Sequence, residues 1–185
     1  MWQMPMIFQL GLYHRPCRIA NRSGEWYSFP GGMNMKIGVV SDTHGLLRPE
    51  VTAVLEGCGV ILHGGDIGGQ DILDALGELA PVYAVRGNND WGAWGEGIPL
   101  TLDLPLGGLR ICMAHMKRDL PKDLSPYDLV ITGHTHRYLE GRQGNAILLN
   151  PGSCGPRRFG QPITFALAEA DGDGIAVRRV EIPWD

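Results

Sequence analysis

The sequence predicts an α/β fold of two packed sheets with helices on the outside. Two patterns and a composition lead there. Short apolar runs alternate with helical patterns from Met35 to about Val85, whereas after Trp91 strand-like runs follow one another with glycine turns between them. The 27 glycines and 13 prolines among 185 residues fit many tight turns between short elements.

In order, Lys36 to Val40 reads as a buried strand, Pro49 to Glu56 as a helix, Val60 to Leu62 as a strand, Gln70 to Leu79 as a helix and Val82 to Val85 as a strand. That succession suggests βαβ units and a parallel sheet. Leu100 to Leu104, Leu109 to Met113, Leu129 to Thr132, Tyr138 to Arg142, Ala146 to Leu149, Ile163 to Ala168 and Ile175 to Ile182 are mostly strands. Turns such as Leu106-Gly107-Gly108, Gln143-Gly144-Asn145 and Asp171-Gly172-Asp173-Gly174 join them. Residues 1–34 carry neither period, so one domain over residues 35–185 is expected, preceded by a loosely ordered extension. A start codon assigned too early and an arginine-bearing targeting peptide are the other readings of that segment.

A chain of this length buries roughly 70% of its unfolded surface without needing a disulfide or metal for stability. Its net charge of -4 and the absence of a Lys/Arg stripe argue against a long nucleic acid as partner. A small anionic substrate stays open, because metal ions reverse the local sign of charge. Cys17, Cys58, Cys112 and Cys154 form no CxxC pair, so reduced thiols and a cytoplasmic location are expected. No apolar stretch reaches the roughly 18 residues of a membrane span. Arginines follow rather than precede the patch from Met4 to Leu12, which does not suit a secretory signal. Assembly into a homo-oligomer is left open.

Five apolar runs end in polar clusters of one kind: Ser41-Asp42-Thr43-His44-Gly45, His63-Gly64-Gly65-Asp66, Arg86-Gly87-Asn88-Asn89-Asp90, Ala114-His115 and Thr132-Gly133-His134-Thr135-His136. Carboxyl ends of strands in open α/β sheets line one crevice, so the clusters are expected to converge. Together they offer Asp42, His44, Asp66, Asn88, His115, His134 and His136, nitrogen and oxygen donors that suit Mn, Fe, Zn or Ni. Seven donors exceed the need of one tetrahedral ion, which points to two divalent ions sharing one carboxylate. The i, i+2 pairs Asp42/His44 and His134/His136 are expected to point the same way from extended backbone. Two divalent ions offset by two aspartates leave positive charge for a hydroxide and a phosphate. Metal-bound water with a pKa lowered from 15.7 to ~7 supplies the nucleophile at neutral pH, so neither Ser41 nor Ser153 is needed.

Asp-x-His, Gly-Asp, Gly-Asn-x-Asp, a lone strand-end His and Gly-His-x-His, in this order, resemble the calcineurin-like metallophosphoesterase superfamily. Ser-Asp-Thr-His-Gly, Gly-Asn-Asn-Asp and Asn150-Pro151-Gly152-Ser153 are similar to its small bacterial and archaeal phosphodiesterase branch. The resemblance implies a four-layer αββα sandwich of two mixed sheets flanked by helices. It implies one ion on Asp42, His44, Asp66 and His136, and another on Asp66, Asn88, His115 and His134, with manganese expected and Fe, Zn, Ni or Mg as alternatives. A small phosphate ester is the expected substrate, a diester rather than a monoester. Phosphomonoester or nucleotide pyrophosphate hydrolysis is the alternative. So is a non-catalytic scaffold, because the superfamily includes a retromer-type subunit that uses this fold for protein binding.

The chain departs from the family at both usual proton-donor positions. Asn89 stands where larger members carry a histidine, and Ala114-His115-Met116-Lys117 replaces Thr-His-Gly-His. Lys117 is a candidate proton donor or phosphate contact, with a solvated surface lysine an equal alternative. Asn88 and Arg157, with Arg158, are candidate substrate contacts. Asp90 either holds Asn89 or closes its turn, and His63 is expected to orient a ligand from behind. Trp91 and Trp94 mark either a lid over an aromatic group or a plain exposed loop.

Overall fold

A computed structural model describes residues 35–171 and 174–183. The expected extension over residues 1–34 lies outside the described residues, as do positions 172 and 173 of the last expected turn. β1 (Met35–Val40), β2 (Val60–His63) and β3 (Val82–Ala84) run parallel, connected through α1 (Pro49–Leu55) and α2 (Gln70–Leu79). The other side of β1 pairs antiparallel with β9 (Ile163–Asp171), and β10 (Gly174–Ile182) completes the order β10-β9-β1-β2-β3. The second sheet is built from β4 (Thr101–Leu106), β5 (Leu109–Ala114), β6 (Leu129–Ile131), β7 (Tyr138–Gln143) and β8 (Ala146–Pro151) in the order β4-β5-β6-β8-β7. Its β5, β6 and β8 are parallel, and both flanking strands are antiparallel.

Side chains alternate across each strand, and this period of two separates the layers. Ile37 and Val39 of β1, Leu62 of β2, Ile111 and Met113 of β5, and Leu129 and Ile131 of β6 meet between the sheets. Ile61, Phe165 and Leu167 face the other way, onto Val51 and Leu55 of α1 and Ile72 and Leu76 of α2. Each such aliphatic side chain contributes about 1.5–3 kcal/mol by leaving water. Helix α1 starts where the sequence asks it to: Arg48 is extended before a proline, and Pro49 occupies the first turn, where no N–H is needed. On the outer face of the second sheet Cys112 and Val130 are covered by Leu124 and Tyr127, which belong to a loop following a 3-10 turn at Lys117–Asp119. The fourth layer is thus loop and 3-10 turn, and α3 (Ala93–Glu96) is a single helical turn. Among the described residues no helix is long and apolar enough to cross a membrane.

Candidate metal centre

The carboxyl ends of β1, β2 and β3 in one sheet, and of β5 and β6 in the other, carry the five polar clusters. Hydrogen bonding continues past the strand ends: the Asp42 N–H donates to Gly65 O (2.9 Å), His44 N–H to Asp66 O (2.9 Å), and Gly133 N–H to His115 O (3.0 Å). Between the sheets the fit is close. A Cβ on Gly133 would collide with Ser41 Oγ and lie 2.9 Å from Asp42 Oδ2, and one on Gly87 would collide with Asp66. Those glycines let loops from different strands touch.

The expected extended backbone at the paired positions is incorrect. Asp42, His44, Asp66, His134 and His136 all have positive φ, from 46° to 70°. Left-handed turns just past the strands aim these side chains into the crevice. Asp and His enter that region more readily than most residues, yet each such residue costs about 1–3 kcal/mol unless its surroundings enforce it.

Two donor groups result: Asp42, His44 and His136 form one, and Asp42, Asp66 and His115 the other. His136 Nε2 lies 3.1 Å from Asp42 Oδ1 and 3.2 Å from His44 Nε2. Asp66 Oδ2 lies 3.4 Å from His115 Nε2 and 3.8 Å from His44 Nε2, so it reaches a histidine of either group. The His134 ring stands edge-on to His115 with centroids 5.4 Å apart, on the exposed side, and its backbone N–H donates to Asp42 Oδ2 (3.2 Å).

These residues fit a metal. Asp42 Oδ1, Asn88 Oδ1, His115 Nε2 and His136 Nδ1 are buried without hydrogen-bond partners among the described residues. His115 Nδ1 lies 2.8 Å from Gly64 O and donates to it, so its Nε2 turns a lone pair toward the Asp66 carboxylate. Burial works against the His115 imidazolium, but Asp66 and Asp42 outweigh it and raise the affinity of the ring for a proton. Burial likewise opposes ionised Asp66, and His115 and Asn89 reverse this, holding the carboxyl well below its usual range. Both shifts mark the space between them as one that favours positive charge.

Neighbouring side chains hold this arrangement. Both Asp66 oxygens accept from Asn89: its backbone N–H to Oδ1 (2.8 Å) and its Nδ2 to Oδ2 (2.7 Å). Asp90 is buried; its Oδ1 accepts from the N–H groups of Ile67 and Gly68 and its Oδ2 from Gly87, tying two strand-end loops together. His63 is fully buried, with Nδ1 accepting from Gly65 N–H (3.1 Å) and Nε2 donating to Thr43 Oγ1 (2.9 Å), which donates to Ile67 O (2.8 Å). Burial pushes the His63 pKa down to about 4, so the ring is neutral. From the other sheet, Asn150 Nδ2 donates to Gly133 O (2.6 Å), and Ser153 Oγ donates to Asp42 O (2.9 Å).

Lys117 is exposed, and the cavity beside Asn88 and His115 is lined by its neighbours Met116 and Arg118 instead. Arg157 and Arg158 are both exposed. After burial, the Arg158 charge is the next cause of a lowered His44 pKa. Phe159, 77% exposed and at φ 54°, packs edge-on against His136. Sequence reasoning assigned no role to Phe159, Arg86 or Thr43; of the three only Thr43 carried a signal, its place between two ligand candidates.

The fold gathers aspartate, histidine and asparagine at the strand ends of two facing sheets, a donor set suited to divalent metal ions. The chain belongs to the calcineurin-like phosphoesterase superfamily, whose domain model matches residues 35–173. A probable metallophosphoesterase of Methanothermobacter thermautotrophicus is 34% identical over 156 residues, covering 76% of this chain and 89% of that protein. An archaeal phosphodiesterase structure superposes with a TM-score of 0.69 at 24% identity over 80% of this chain and all of that one. The fold is also shared with Vps29 of Entamoeba histolytica complexed with zinc, at TM-score 0.61 and 25% identity over 80% of this chain and 99% of that one.

Proposed function

We propose that the chain is a phosphodiesterase working with two divalent ions, manganese first among the candidates. One ion would be held by Asp42, His44, Asp66 and His136, the other by Asp66, Asn88, His115 and His134. The observation that carries this reading is Asp66 Oδ2, within 4 Å of a histidine nitrogen in each group. The pair of ions, when bound, supplies Lewis-acid polarisation of the phosphate and a water acidic enough to attack at neutral pH. Asn89 fixes the orientation of Asp66 through two hydrogen bonds, and Arg158 sits where its charge reaches His44 and can meet a phosphate oxygen. Among the described residues no histidine stands at the family's proton-donor positions: Asn89 already gives its N–H to Asp66, and His63 is enclosed. General acid help is worth about 10²- to 10⁴-fold, so substrates with poor leaving groups lose most.

A manganese-reconstituted protein is therefore expected to cleave aryl diesters such as bis(p-nitrophenyl) phosphate well and simple alkyl monoesters slowly. Metal analysis should find about two ions per chain. Equal rates on both ester types would overturn the diesterase preference. Likeness to Vps29 supports the scaffold alternative in fold, and a chain that binds no metal would favour it.

A further inference from the structure

A cavity of about 350 Å³ adjoins the centre, lined by Asn88 and His115 and by Arg86, Trp91, Met116 and Arg118. That volume lies at the small end of ligand pockets, enough for a ring and a phosphate. Arg86 is half-buried, and its guanidinium has no hydrogen bond or ion pair with any described residue. A guanidinium does not give up its proton, and a partly desolvated cation is costly without an anion. The nearby carboxylates do not serve it: Asp90 is taken up by three backbone N–H groups, Asp119 lies 3.8 Å from Arg118 Nε, and Glu96 is exposed with no side-chain partner among the described residues. Trp91 is 77% exposed, whereas Trp94 packs into the core beneath α3 and anchors the turn that presents Trp91. An open indole face beside a lone cation suits a planar ring joined to an anion.

We propose that this cavity seats a nucleotide arm of the ester substrate, with Arg86 pairing with a second phosphate and Trp91 stacking on the base. The inference rests on the diesterase reading. Two chemistries supply such an arm, a 5′-phosphorylated dinucleotide and a dinucleoside pyrophosphate.

The test compares both with bis(p-nitrophenyl) phosphate, using manganese-loaded full-length protein. Arg86→Ala should raise KM for one or both nucleotide substrates by ~10-fold or more relative to the aryl diester, the scale of a lost charged hydrogen bond. Arg86→Lys should recover part of that loss. Trp91→Ala, at an exposed position, should raise the same ratio ~5-fold or more. Whichever nucleotide substrate responds identifies the arm. Calorimetric titration of metal-free protein with AMP should find binding that Arg86→Ala abolishes. If wild type cleaves none of the three esters yet binds AMP through Arg86, the hydrolase reading falls and the nucleotide site stands. If the aryl diester is cleaved while Arg86→Ala changes all three substrates equally and leaves AMP binding intact, the nucleotide site is wrong and the hydrolase reading survives.

Discussion

Asp42 is common to the two donor groups, and Asp66 links them, because its Oδ2 reaches a histidine in each. Asp66→Ala is accordingly expected to lose both ions and to lower turnover well beyond the ~10- to 100-fold typical of losing an outer hydrogen-bond partner. Elemental analysis together with aryl diester turnover checks this; retained metal would refute the shared-carboxylate assignment. His63 predicts a pH dependence of stability. An ordinary imidazole protonates near 6.5, whereas this one resists until about 4. Between those values the unfolded chain takes up the proton first. The contribution of His63 is therefore complete above about pH 6.5 and falls by ~3 kcal/mol as the pH drops toward 4. Thermal melts of wild type and His63→Gln from pH 7 to 4 should converge at the acid end, and parallel curves would count against it. The donor types were legible in the sequence because they recur in short spaced motifs. Asp90 closing its own turn through Gly87 N–H was among the readings, but its bonds to Ile67 and Gly68 and those of Asn89 to Asp66 were not, since they span 22 or 23 residues, and no period of two announces a left-handed turn.

Among the elements, β6 is only three residues long, yet it carries Gly133, His134 and His136 at its end and lies between β5 and β8. Ile131, fully buried between the sheets, aligns that end with Met113 and Leu149. Ile131→Ala should cost about 2–5 kcal/mol in urea unfolding and weaken metal retention at the same time. A loss below 1 kcal/mol would mean that the inter-sheet layer collapses around the void. Most strands and the helices α1 and α2 were readable because they are runs of apolar residues bounded by glycine, proline or polar motifs, β7 with Glu140, Arg142 and Gln143 being the exception in composition. Helix α3 and the 3-10 turn were not, being four and three residues long, too short for a helical period to appear.

For the whole molecule, the lack of pattern before Met35 and a family match that begins at residue 35 lead to one prediction. Deleting residues 1–34 should leave soluble, folded and active protein, and loss of solubility or of diester turnover would refute a domain that starts there. The centre itself is divided between the sheets, and Asp42, near the start of the domain, is held by Ser153 and flanked by a strand that pairs with β9. Contacts that distant in sequence form late, after the loops between them have closed. A growing chain on the ribosome thus displays histidines and aspartates long before they converge. The complete donor set therefore exists only once both sheets have closed on one another.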